Sequence, residues 1–118
     1  MPNIRIYATS KYRIMEKITI KINHVALEVL CETFNEGSFQ GIFSQEQKVI
    51  MSIIADLSLQ LEKKEISKRH TTKKFKMSFK YHEAFALEKH CRMVYANFYQ
   101  CYTTHVALDV ANQIHQQF

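Results

Sequence analysis

Lys17-Ile18-Thr19-Ile20-Lys21-Ile22-Asn23 alternates polar and apolar residues, and the same alternation returns at Lys76-Met77-Ser78-Phe79-Lys80-Tyr81-His82. A period of two sets successive side chains on opposite faces of a strand, so each stretch reads as a strand with one buried face. Two such strands in one short chain are expected to pair. Each also runs directly into a helical pattern, which sets the order of elements for the rest of the chain.

The first strand spans about Ile14 to Ile22 and ends at Asn23, a favoured N-cap residue. The helix that follows, His24 to about Asn35, carries a narrow polar stripe of His24, Glu28 and Glu32 at i, i+4 steps. Val25, Leu27, Val29, Leu30, Cys31 and Phe34 cover its remaining circumference, the pattern of a mostly buried helix. Gly37 suits the left-handed residue that ends a helix, and Gly41 keeps the connection short and free. Ser44 with Gln47 forms a capping box ahead of Val49, Ile50, Ile53, Ile54, Leu57 and Leu61 at helical spacing. Leu59 and Ile66 fall on the other side of that helix as a second, smaller apolar patch.

The second strand covers about Phe75 to Tyr81, and Glu83 places a negative charge at the positive end of the last helix. In that helix Leu87, Cys91, Val94, Phe98, Cys101, His105 and Leu108 recur at spacings of four and three, flanked by Tyr95 and Tyr102. Unbroken from Glu83 to Gln117 it would run roughly 50 Å, whereas a domain of this size is about 35 Å across. Two outcomes resolve the excess. The helix bends near Thr103 and Thr104, where β-branched residues weaken it and a threonine recaps a second segment, or its end protrudes and a second chain covers it. The second outcome predicts a homodimer with Tyr95, Phe98, Tyr102, Val106, Val110, Ile114 and Phe118 at its interface.

The expected fold is α+β, with two antiparallel strands packed against three helices in the order strand-helix-helix-strand-helix and a long C-terminal helix. At 118 residues the chain has the length of one domain with a core of its own. Residues 1–13 are expected to form a flexible N-terminal arm and 14–118 the single α+β domain. One proline, two glycines and 47% hydrophobic residues favour long ordered helices over disorder, and argue against an all-β sandwich, which needs many more turn residues.

Cys31, Cys91 and Cys101 are odd in number and sit among apolar residues, so they read as reduced core residues in a cytoplasmic protein. Arg5, Lys11, Arg13 and Lys17 interrupt any apolar run at the N-terminus, and no stretch approaches the roughly 20 apolar residues of a membrane span. No membrane association is expected.

Few of the constellations that carry catalysis can be built here. With two glycines no glycine-rich phosphate cradle is available, and neither a Walker A loop nor a nucleophile elbow occurs. His24 beside Glu28 and Glu32 is a possible acid–base set, but no nucleophile, oxyanion donor or cofactor loop accompanies it. Cys101 and His105 share a helical face at metal-ligand spacing, yet His90 and Cys91 lie roughly 16 Å away along a straight helix, too far to share an ion. The chain therefore reads as a non-enzyme with no cofactor, no metal and no small-molecule substrate.

The net charge of +5 is concentrated. Lys63, Lys64, Lys68, Arg69, Lys73, Lys74, Lys76 and Lys80 face only Glu65 in the segment from Lys63 to Lys80, a local balance of +7 against −2 for the rest. Such a segment suits phosphates, and Phe75, Phe79 and Tyr81 offer rings for base stacking if they face outward, although the alternation turns them inward. The function expected from these features is a small interaction protein acting as a homodimer. The alternative is a nucleic-acid-binding accessory protein that uses Lys68, Arg69, Lys73, Lys74, Lys76 and Lys80 in general electrostatic contact.

Overall fold

Asn23, Ser44 and Lys80 mark where the helical segments begin, and each does so through a bond made within three residues. Asn23 Oδ1 accepts the Ala26 N–H at 2.8 Å, which satisfies one of the orphan donors at a helix start. Ser44 Oγ accepts from Gln47 N–H at 3.2 Å while Gln47 Oε1 accepts from Ser44 N–H at 2.9 Å, the reciprocal box expected from the sequence. Lys80 N–H donates to Glu83 Oε1 at 2.8 Å, so the second strand passes into its helix with no loop between them.

The computed structural model describes residues 17–35, 44–97 and 101–118. Its elements are β1 (Lys17–Ile22), α1 (His24–Asn35), α2 (Gln45–Ser67), β2 (Phe75–Lys80), α3 (Tyr81–Asn97) and α4 (Tyr102–His115). The expected order holds with one correction, since the long C-terminal helix is two helices, α3 and α4. Tyr81 belongs to α3 and not to the second strand. The expected arm at 1–13, residues 14–16 of the first strand, Gly37, Gly41 and Phe98 lie outside the described residues.

β1 and β2 pair antiparallel in a register that sets Lys17 opposite Lys80, Ile20 opposite Met77 and Ile22 opposite Phe75. Ile18, Ile20, Ile22, Met77 and Phe79 are buried on one face. That face meets α3 and α4, while α1 and α2 extend the helical layer. Leu27, Leu30, Leu57, Leu61, Leu87, Val94, Val110 and Ile114 join these strand residues in one core. Each such side chain contributes about 1.5–3 kcal/mol on full burial, so the shared core holds the elements together. Val49, assigned by its spacing to the buried stripe of α2, is exposed, as are Leu59 and Ile66 of the second patch.

The start of α4 is set by Cys101 and Thr104. Thr104 Oγ1 accepts the Cys101 N–H at 2.9 Å and donates to the Cys101 carbonyl at 2.8 Å, so the N-cap of α4 is Cys101 and not a threonine, with Thr104 as its N3 partner. α4 then turns back against α3 and reaches β1. Bending is thus the outcome adopted: Val106, Val110 and Ile114 are 6%, 1% and 0% exposed, covered by the chain's own residues. Cys101, expected in the core, is exposed because it occupies the cap.

The end of α4 also closes one edge of the sheet. Gln117 Oε1 accepts from Thr19 N–H at 3.0 Å and its Nε2 donates to the Thr19 carbonyl at 2.6 Å. Gln113, one helical turn earlier, does the same for Lys21 at 2.8 and 3.0 Å. Each carboxamide takes the place of a peptide group in a neighbouring strand, so the outward main chain of Thr19 and Lys21 is fully bonded.

Candidate nucleic-acid interface

The solvent face of the sheet follows from the two alternating stretches and their register. Because the strands run antiparallel, Lys17 lies opposite Lys80, Thr19 opposite Ser78 and Lys21 opposite Lys76. The two hydroxyls meet at the centre, with Thr19 Oγ1 and Ser78 Oγ 3.0 Å apart. Facing residues in such a pair stand about 4.5–5.5 Å apart, and like charges placed there repel. Lysines four residues apart on one strand are about 13 Å apart at the rise of an extended chain. The result is four lysine positions framing a pair of hydroxyls. Among the described residues none of the four lysines forms an ion pair. Lys73 and Lys74, exposed in the approach to β2, extend the positive surface.

The six residues expected from the sequence therefore divide. Lys76 and Lys80 stand on this face, and Lys73 and Lys74 lie beside it. Lys68 is placed over the Phe75 ring, 5.2 Å from its centroid. Arg69 is committed elsewhere: its Nε donates to Glu65 Oε1 at 3.1 Å and a terminal nitrogen to Oε2 at 3.0 Å. Lys17 and Lys21 are the members that reasoning from the basic segment missed. Phe79 is buried and Phe75 half-buried, so the strand presents no ring for base stacking. Tyr81, at the start of α3, packs instead against Phe118 with ring centroids 4.9 Å apart.

Of the residues expected at a dimer interface, Val106, Val110 and Ile114 are interior and only Tyr95, Tyr102 and Phe118 are exposed. Phe98 lies outside the described residues. The C-terminal apolar stripe is thus spent on the chain's own core.

The polar stripe of α1 joins a second cluster. His24 Nε2 lies 3.1 Å from Glu65 Oε1, linking α1 to α2 across the helix pair. The Arg69 guanidinium, then the His24 contact, hold the Glu65 carboxyl below its usual range despite the opposing effect of burial. Ligand atoms of His24, Glu28 and Glu65 lie within 4.8 Å of one another, the grouping among the described residues with metal-ligand geometry. Its buried carboxylate is paired with the Arg69 fork, an i, i+4 contact at the end of α2, while His24 reaches it from α1. Cys31 lines the same cleft, but burial, reinforced by Glu65, Glu62, Glu28 and Glu32, pushes its thiol up to about 12. A thiol held protonated is a poor nucleophile.

Two further sets of polar residues tie elements together. Thr33 Oγ1 donates to the Leu30 carbonyl at 2.6 Å and so accepts from His90 Nε2 at 2.9 Å, which places a proton on that nitrogen. Burial lowers the His90 pKa to about 4. Glu88 faces His115 Nδ1 at 3.2 Å, and Arg92 donates to Asn112 at 3.2 Å, both linking α3 to α4. No helix among the described residues is long and apolar enough to cross a membrane. No protein family matches this sequence, and no characterised protein or solved structure is detectably similar to it.

Proposed function

We propose that this protein is a non-enzymatic binding module that engages the phosphate backbone of a nucleic acid with the outer face of its sheet. The observation that carries the reading is the register that gathers Lys17, Lys21, Lys76 and Lys80 around the Thr19–Ser78 hydroxyl pair. Repulsion between facing lysines costs the fold stability that an anion on this face recovers. The hydroxyls lie between the lysine positions, where the one not donating to its neighbour can donate to a phosphate oxygen, and the absence of an outward ring on the strand favours backbone contact over base stacking. Homodimerisation is the less favoured reading, because the C-terminal stripe that motivated it is buried within the chain.

Fluorescence anisotropy with a labelled single-stranded oligonucleotide and with its duplex, measured across salt concentrations, tests the proposal. Four phosphate contacts imply a slope of log K against log salt of about −3 for the single strand and slightly steeper for the duplex. Replacing all four lysines by glutamine removes the binding. Undiminished affinity in that variant, or no binding by the native protein at low salt, refutes it.

A further inference from the structure

The two edges of the sheet are finished differently. Gln113 and Gln117 bond the outward main chain of Lys21 and Thr19, which establishes that these residues turn both polar groups away from β2. In an antiparallel ladder the residue directly opposite then turns its own groups outward on the far side. Ser78 and Lys76, opposite Thr19 and Lys21, therefore direct N–H and C=O away from β1. Lys80 shares that parity, and Glu83 takes its N–H. Among the described residues, nothing is bonded to the outward main chain of Lys76 or Ser78. Beside them runs a cleft walled by Gln60, Leu61 and Lys64 of α2 on one side and by residues 76–79 of β2 on the other.

We propose that this edge binds an extended acidic peptide, which adds to β2 as a third strand. Main-chain groups supply the bonds, and the charges beside them select the occupant. Alternate side chains of an added strand fall on the outer face next to Lys76 and Lys80, where glutamate or aspartate is matched. The intervening side chains face α2, where Leu61 lies at the base of the cleft with 2% of its surface exposed and Lys64 adds a further cation. A second copy of this chain is a poor occupant. Two β2 edges paired antiparallel about Ser78 set each Lys76 against a Lys80, and like charges directly opposite are destabilising. Lys76 and Lys80 serve both readings, whereas Lys17 and Lys21 on the far strand belong to the phosphate-binding face alone and the main chain of Lys76 and Ser78 to the edge alone.

The test uses the full chain and the blocked octapeptide of four Glu-Val repeats, followed by anisotropy, alongside two N-methylated versions. One carries methyl groups on every glutamate nitrogen and the other on every valine nitrogen. Strand addition predicts that one version loses at least about tenfold in affinity, from two or more lost hydrogen bonds, while the other stays within about twofold. Ser78→Pro removes one outward N–H and spares the ladder to β1, so it weakens peptide binding by about twofold to tenfold, as one lost hydrogen bond implies, with an unchanged circular dichroism spectrum. Lys17→Gln with Lys21→Gln weakens oligonucleotide binding and leaves the peptide within about threefold, which separates the two readings. Equal loss with both methylated peptides, or no binding of the unmethylated one, overturns the proposal, and both results stand on native protein even if Ser78→Pro fails to fold.

Discussion

Removing the carboxamides of Gln113 and Gln117 should open the β1 edge with little change elsewhere. The two side chains make four bonds to the main chain of Thr19 and Lys21, between 2.6 and 3.0 Å. These groups are near solvent and water replaces part of what is lost, so each bond contributes near the lower bound of about 0.5 kcal/mol, or about 2 kcal/mol for Gln113→Ala with Gln117→Ala. With urea slopes of about 1–3 kcal/mol/M for small domains, the unfolding midpoint falls by roughly 1 M. The decisive readout is local. Hydrogen exchange at the Thr19 and Lys21 amides should become fast in the double variant, while Ile18 and Ile20, which bond across to β2, keep their protection relative to the global stability. The exposed edge should also promote concentration-dependent association. Unchanged exchange at Thr19 and Lys21 would refute the idea that the glutamines complete the strand.

Three further outcomes follow from named groups. His90 titrates near 4 when folded against 6.5 when free, so the unfolded chain binds the extra proton between those values. Its contribution is complete above pH 6.5 and is lost as pH falls through about 4, amounting to about 3 kcal/mol. His90→Leu should flatten the urea stability profile between pH 7 and 4.5, and an equally steep profile would contradict this. Thr104→Val removes both bonds to Cys101 at the start of α4 and should cost about 1–2 kcal/mol by urea unfolding, with Thr104→Ser close to native. Of the three thiols, only exposed Cys101 should react with an aromatic disulfide reagent in the native state, since burial pushes Cys31 and Cys91 up to about 12. Reaction of more than one thiol per chain without denaturant would show that the core opens.

What was legible in the sequence was local. Alternation located both strands, and Asn23, Ser44 and Gln47 located two helix starts, because each signal and its cause lie within a few residues. The division of α3 from α4 was less visible. The apolar spacing through Val94, Phe98, Cys101 and His105 continues in phase across the break, so periodicity alone records no interruption. Thr103 and Thr104 marked the region, but the cap belongs to Cys101, which its apolar neighbours had suggested was core.

The site divided along the same line. Lys76 and Lys80 stood out within a basic segment, whereas Lys17 and Lys21 join them only through pairing of strands 59 residues apart at Thr19 and Ser78. Charge counting assigned Arg69 to the basic surface, although its i, i+4 partner Glu65 draws it to the opposite duty. Gln113 and Gln117 carried no signal at all. Their partners are 92 and 98 residues away, and a glutamine on a helix surface is ordinarily a solvated residue.

The most direct test of the lysine face is a nitrogen–proton correlation spectrum of the native protein, recorded as an unlabelled single-stranded oligonucleotide is added at low salt. Binding at the outer face predicts that the largest shifts fall on residues 17–21 and 76–80, including the amides of Thr19 and Ser78, and that added salt reverses them. Shifts confined to α3 and α4, or to the His24–Glu65–Arg69 cluster, would contradict it.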